Sequence, residues 1–302
     1  MKSFVVFPGN FRAMLGLAPL PCQTRPGSGL IAVLARVLLS PMSSSTPDLP
    51  SIAQALADAA AAQSMRYFRT PLDIITKADE SPVTLADRAA ETAMRQILGA
   101  RVPADGIYGE EHGPERLEAE RVWVLDPIDG TRSFITGSPL WGTLIGVLQG
   151  GRVVFGMVDM PVLKERWIGR NDGSGKGATR DGQPVRASNC TEVAKARIVT
   201  TSPDIFAPAD WAAFDRLSRQ CAMRRFGGDC YGYAQLAGGT IDLVVETGLQ
   251  PYDYLGPAGL IEAAGGVITD WQGQPLGLKS DGRVIAAATP ELHRQAMALL
   301  SA

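Results

Sequence analysis

Residues 123–137 read WVLDPIDGTRSFITG. A short apolar run at 121–125 leads into Asp126, which places that acid where a strand leaves the core. Pro127 fixes its own φ and has no backbone donor, so a bend follows rather than a helix. Asp126 and Asp129 then stand at i and i+3 around the bend and can converge on one site. Converging carboxylates repel unless they are protonated or neutralised, and a hard cation is the simplest neutraliser. On this segment alone, the reading in which both acids merely cap a turn stays open. If Thr131 begins a short helix, the backbone N–H groups of Gly130 and Thr131 open toward an anion.

The flanking sequence has a regular organisation. Residues 51–68 are Ala-rich with apolar residues at helical spacing, between Pro50 and Pro71. Residues 87–98 predict a second helix with Ala90, Met94 and Leu98 on one stripe and Gly99 as its stop. Two apolar runs around Gly150–Gly151 predict a hairpin, and 163–169 a further strand closed by the turn at 171–173. Beyond 185–195 the rhythm changes. Strand-like segments at 196–200, 241–246 and 284–288 alternate with helix-like ones at 211–221, 230–236, 255–264 and 291–300. The expected organisation is an N-terminal α+β domain at 48–188, carrying most of the acids, and a C-terminal α/β domain at 189–302.

Composition narrows the chemistry. The 302 residues include 29 Lys+Arg against 31 Asp+Glu, a net charge of -2, which argues against a broadly basic nucleic-acid surface. The only histidines are His112 and His293, which excludes a multi-histidine zinc site. Cysteines 22, 190, 221 and 230 form no CxxC pair, so a dithiol redox motif is excluded and reduced thiols are expected. Residues 1–47 carry Lys2, Arg12, Arg25 and Arg36 and no acid, and their apolar stretches are too short and too interrupted to span a bilayer. A disordered leader, an organelle-import peptide and a start placed upstream of the true one all fit. The polar stretch MSSSTPDLP from Met42 favours the last, and with it a cytoplasmic protein.

Other acids compete with plainer readings. Glu110 and Glu111 lie in IYGEEHG, which read alone is a solvated turn. Asp253, just before an apolar helix, could be its N-terminal cap or could point a carboxylate at the Asp126 site. Lys77, Asp79 and Asp87 lie in a hydrophilic loop and the helix start that follows it. Asp229 and Glu246 could be a helix cap and a strand-end acid.

GEE at 109–111, WVLDPIDGTRSFITG at 123–137 and PYDYLGPAGLIEAAGG at 251–266 together resemble the signature segments of the inositol-monophosphatase-like family, in the same order and at matching distances. The resemblance spans residues 50–300. It implies an α/β fold with α+β character, a layered α/β/α/β/α sandwich of the inositol-monophosphatase and fructose-bisphosphatase type. It also implies a lithium-sensitive phosphatase using two or three Mg²⁺ ions per subunit. Glu110 then resembles a first-metal ligand that orients the attacking water, Asp126 the bridging ligand, and Ile128 a backbone-carbonyl ligand. Asp129 and Asp253 resemble ligands of the second metal. Thr131, held by Asp87, resembles the threonine that polarises the water, and the amides of Gly130 and Thr131 receive phosphate oxygens. Glu111 and Asp79 fall near a third metal, and Lys77 offers electrostatic support.

On substrate, DCYGY at 229–233 and PYDYL at 251–255 look most like the histidinol-phosphatase branch. Asp229 and Glu246 would then face the cationic alcohol of histidinol phosphate, an intermediate of histidine biosynthesis. The alternatives are an inositol-1-monophosphatase or broad sugar-phosphate phosphatase on the same fold, and a non-catalytic cation-binding scaffold. The expected partner is a small phosphate monoester, with no nucleic acid and no membrane, and the resemblance implies a homodimer.

Overall fold

The computed structural model describes residues 48–70, 82–173 and 175–302. The leader at 1–47, Lys77 and Asp79 lie outside them. The first layer is a pair of packed helices, α1 (Leu49–Ser64) and α2 (Pro82–Arg101). Pro50 stands in the first turn of α1 as expected. Gly99 does not stop α2, which runs on to Arg101. A glycine in a helix costs about 1 kcal/mol, and the buried stripe Ala90, Met94, Ile97 and Leu98 outweighs it.

The helices cover a sheet of eight strands in the order β2-β1-β3-β4-β5-β6-β7-β8. These are β1 (Gly106–Gly109), β2 (Gly113–Glu115), β3 (Arg121–Asp129), β4 (Gly142–Gln149), β5 (Arg152–Met160), β6 (Glu165–Asn171), β7 (Lys176–Arg180) and β8 (Gln183–Val185). The expected hairpin at Gly150–Gly151 joins β4 to β5. All pairings in this sheet are antiparallel except β1 with β3. A five-residue helix, α3 (Thr131–Ile135), follows β3.

A second sheet, in the order β10-β9-β11-β13-β12, is built from β9 (Arg197–Thr200), β10 (Met223–Phe226), β11 (Leu243–Glu246), β12 (Val267–Asp270) and β13 (Val284–Ala287). Helices α5 (Cys230–Ala237) and α6 (Pro251–Ala263) pack against both sheets and form the middle layer. Helices α4 (Pro208–Ser218) and α7 (Pro290–Ser301) form the outer one. The result is the five-layered sandwich that the family resemblance implied.

Among the described residues, two of the apolar clusters hold the second sheet against its neighbouring layers. Val124, Tyr233, Val244, Leu255 and Ile261 fill the space between the sheets, and Ile198, Phe214, Val245 and Leu292 fill the space under α4 and α7. Alternation along β11 sends Leu243 and Val245 outward and Val244 inward. Glu246 shares the inward parity.

Helix α6 is apolar on nearly every side, as a helix buried between two sheets must be. It lies on β4–β6 almost backbone to backbone. A Cβ on Gly259 would stand 2.6 Å from the Gly156 nitrogen, and one on Gly156 would overlap the Gly256 carbonyl. Overpacking of this kind costs about 1–3 kcal/mol or more. Gly259→Ala should therefore lower the melting temperature by several degrees. Because α6 carries Asp253, it should also raise the Mg²⁺ concentration needed for half-maximal activity. Unchanged values of both would show that the helix can shift freely on the sheet.

Candidate active site

Strand β3 is anchored at its start. The Trp123 indole and the Arg121 guanidinium both donate to the Asp105 carboxylate at 2.8 Å. In a regular strand, residues at i and i+3 face opposite sides. Here β3 pairs Asp126 with Leu144 but Asp129 with Gly142, a register shift of one residue. Pro127 sits inside that irregularity. Its carbonyl accepts the Thr143 hydroxyl at 2.9 Å, and the Asp126 carboxylate accepts the Ile128 N–H at 3.0 Å. The bend brings Asp126 and Asp129 to the same side, where carboxylate oxygens of Asp126, Asp129 and Asp253 lie within 4.8 Å of one another.

Asp253 arrives from α6. Pro251 stands in the first turn, and Gln250 and Asp253 form a reciprocal capping box, with the Gln250 N–H donating to the Asp253 carboxylate at 2.7 Å. Asp253 is therefore at the third helical position rather than before the helix. It serves as part of the cap and as a member of the cluster at once. Helix α5 adds a third attachment, the Cys230 N–H donating to Asp129 at 2.8 Å.

The turn after β3 is tightly determined. Gly130 takes φ 81°, and a Cβ there would press on Asp229 and the Leu140 carbonyl at 3.1–3.2 Å. Thr131 then opens α3, whose first helical bond runs from Phe134 N–H to Gly130 C=O. The Gly130 and Thr131 amides precede that bond, as an anion nest requires. Phe134 locks the turn from below by packing on Trp141 and Phe68, with ring centroids 4.9 and 5.5 Å away. The Thr131 hydroxyl donates to the Ile128 carbonyl at 3.4 Å. Asp87 is buried on α2, in its second turn rather than its first, and its Oδ1 has no hydrogen-bond partner among the described residues. The expected Thr131–Asp87 bond is thus not made here.

A cavity of about 130 Å³ adjoins the cluster, lined by Asp129, Asp229, Glu246, Asp253, Thr201 and Tyr233 among others. A larger cleft of about 720 Å³ lies between α1 and β6–β7, but it holds none of the clustered acids. The smaller one carries the chemistry. Asp229 takes φ 45° and ψ -140°, a strained conformation for a residue with a side chain. It accepts the Ser133 hydroxyl at 2.7 Å. Glu246 is buried, with Thr201 donating its N–H at 2.9 Å and its hydroxyl at 2.5 Å, and Tyr233 its hydroxyl at 2.8 Å.

The uncompensated charge shows in the titration of these groups. Burial first, then Glu110, Asp129, Asp253 and Asp87, push Asp126 well above the carboxylate range. Burial, then Asp253 and Asp229, raise Asp129 against the hydrogen bond from Cys230. Burial lifts Asp253 to about 7, and burial with Glu110, Glu111 and Glu91 lifts Asp87 to about 8. Glu110, at the solvent-exposed rim, is raised by burial of its carboxyl and by Glu111 and Glu91, against a hydrogen bond with Asp126.

Residues 48–302 match the model of the inositol monophosphatase family. The chain belongs to that family. It is 43% identical over 256 residues to the bifunctional phosphatase IMPL2 of Arabidopsis thaliana, spanning 82% of this chain and 73% of that one. It is 35% identical to a histidinol-phosphatase of Chlorobaculum parvum, over 80% of this chain and 92% of the relative. Among solved structures, an inositol monophosphatase from Zymomonas mobilis superposes with a TM-score of 0.78 at 43% identity, covering 83% of this chain and 97% of that one. These likenesses do not single out the histidinol-phosphatase branch as the nearest. The chain is a Mg²⁺-dependent phosphomonoesterase of the inositol monophosphatase family.

The residues fit the metal. Asp126, Asp129 and Asp253 supply hard oxygen donors, which suit Mg²⁺, and together they hold more negative charge than the protein alone neutralises. No helix among the described residues is long and apolar enough to cross a membrane. Sequence reasoning passed over Glu91, Ser133, Thr201 and the Cys230 amide. Only Glu91 left a readable signal, an acid one helical turn after Asp87 on the same face.

Groups whose pKa is raised on folding stabilise the protein fully below the ordinary carboxylate range and lose that contribution as pH rises through the folded value. For Asp253 and Asp87 this window closes near pH 7–8. In EDTA the melting temperature should therefore fall between pH 5 and pH 8.5, and Mg²⁺ should flatten the fall. Asp126→Asn should raise the metal-free melting temperature at pH 8 yet lose most of the Mg²⁺-induced rise and turnover. A flat EDTA profile, or a mutant with a full Mg²⁺ response, would contradict this electrostatic account.

Proposed function

We propose that the chain is a phosphatase of inositol 1-phosphate or a broad range of sugar phosphates, using two or three Mg²⁺ ions and inhibited by lithium. The observation that carries this reading is the state of Glu246. Three hydrogen bonds from Thr201 and Tyr233 already engage its oxygens, so it serves as part of the pocket frame rather than as an open counter-ion for an ammonium. The likeness to the Zymomonas mobilis inositol monophosphatase supports the same reading.

The residues of the chain then have distinct tasks. Asp126, Asp129 and Asp253 with Glu110 and the Ile128 carbonyl would hold the cations. Bound there, Mg²⁺ supplies charge neutralisation of the phosphate and a more acidic water. The Gly130 and Thr131 amides orient the phosphate oxygens, while Thr131 and Glu110 orient the nucleophilic water for in-line attack. Glu111 stays at the edge of this group, within 3.6 Å of Arg88. No side chain acts as a covalent nucleophile.

Histidinol phosphate is the second reading. Asp229 lines a pocket with three other carboxylates, an environment suited to a cationic alcohol, and the Chlorobaculum parvum relative is named a histidinol-phosphatase. Phosphate release from inositol 1-phosphate, fructose 1,6-bisphosphate and L-histidinol phosphate separates the two. The expected result is a kcat/KM on inositol 1-phosphate at least equal to that on histidinol phosphate. A higher kcat/KM on histidinol phosphate would reverse the order, each tenfold of preference corresponding to about 1.4 kcal/mol.

A further inference from the structure

The segment that carries Glu110 is held by a side chain with no role so far. Helix α2 places Asp87, Glu91 and Arg95 at successive turns of one face. Glu91 is fully buried. Its carboxylate accepts the Glu111 N–H at 2.7 Å, the His112 N–H at 3.3 Å and the Arg95 Nε–H at 2.7 Å. Arg95 in turn donates to the Gly113 carbonyl and lies 3.4 Å from Glu115. The turn between β1 and β2 is thus gripped by an acid on its amides and by a base on its carbonyl. The fit is close, since a Cβ on Gly109 would overlap the Glu91 carboxylate. On its other side, the Glu110 N–H bonds the Leu125 carbonyl at 3.2 Å, one residue before Asp126.

We propose that Glu91, with Arg95 as its counter-charge, is a positioning residue that fixes the Glu110 carboxylate against the end of β3 so that it can share a cation with Asp126. The inference rests on the metal-dependent phosphatase reading of Glu110. A buried carboxylate brought next to Asp87, Glu110 and Glu111 adds to the repulsion at the site. Arg95 offsets that charge locally at 2.7 Å, and what the Glu91 carboxylate contributes to the site is its pair of hydrogen bonds to the Glu111 and His112 amides. Glutamine at the same place keeps the volume, but its NH₂ cannot accept, so at least one of the three donors loses its acceptor.

The test uses the full chain and two direct readouts. In Glu91→Gln, amide hydrogen exchange across 110–113 should accelerate at least tenfold. The Mn²⁺ dissociation constant measured by electron paramagnetic resonance should rise about tenfold. The KM for inositol 1-phosphate at saturating Mg²⁺ should change less than twofold. Wild-type Mn²⁺ affinity in Glu91→Gln would overturn the proposal, as would a loss of melting temperature with exchange at 110–113 and metal affinity unchanged. Should that variant fail to fold, Arg95→Gln tests the other half of the clamp by the same two measurements, with the same direction expected and unchanged Mn²⁺ affinity overturning it. If the wild-type chain hydrolysed no phosphate ester, the functional reading would fall. The exchange and Mn²⁺ results on Glu91 would still decide the positioning role.

Discussion

The site exists because α6 lies directly on the sheet. Glycines on both sides, Gly156 on β5 and Gly256 and Gly259 on α6, let the two backbones approach to distances that a single methyl group would forbid. That contact sets where the N-terminus of α6 ends up, and so where Asp253 points. The capping box fixes the side chain locally, and the glycine contact fixes the helix globally. Neither alone would place the Asp253 carboxylate within 4.8 Å of carboxylate oxygens of Asp126 and Asp129.

The opposing constraint is charge. Asp126, Asp129 and Asp253, with Asp87 and Glu110 beside them, are held in an arrangement that they would not adopt if free to separate. The fold holds them with neutral hydrogen bonds and packing. Thr143 and the Ile128 amide hold the bend, Cys230 holds Asp129, and an aromatic cluster sits beneath α3. The raised pKa values express the cost, and a hard divalent cation removes it. The pocket beside the cluster extends the acidic character through Asp229 and Glu246. Both are already tied to neighbouring hydroxyls, so they shape the cavity before any substrate arrives.

Much of this was legible in the sequence where chemistry and local geometry coincide. The acid pair around Pro127 and the hairpin at Gly150–Gly151 could be read because proline and glycine act within a few residues. Apolar spacing alone predicts a helix from 255, whereas Pro251 and the Gln250–Asp253 cap begin α6 four residues earlier. Gly99 misled for the opposite reason, since tertiary burial of α2 overrode a local stop signal. Strand β10 could not be seen, because Met223–Phe226 is exposed throughout and so carries no inward-facing alternation, while its pairing with β9 is a long-range contact. The hydrogen bonds of Glu91 and of Asp229 with Ser133 join segments about 20 and 96 residues apart, beyond the reach of any local pattern.

The central claim is that the carboxylates of β3 and α6 form one divalent-cation site. Anomalous diffraction from crystals grown with Mn²⁺ tests it most directly. The account predicts an anomalous peak bonded to carboxylate oxygens of Asp126, Asp129 and Asp253, at about the 2.0–2.2 Å expected for a small hard cation. A well-ordered site with no peak there, or Mn²⁺ bound only elsewhere on the chain, would contradict it.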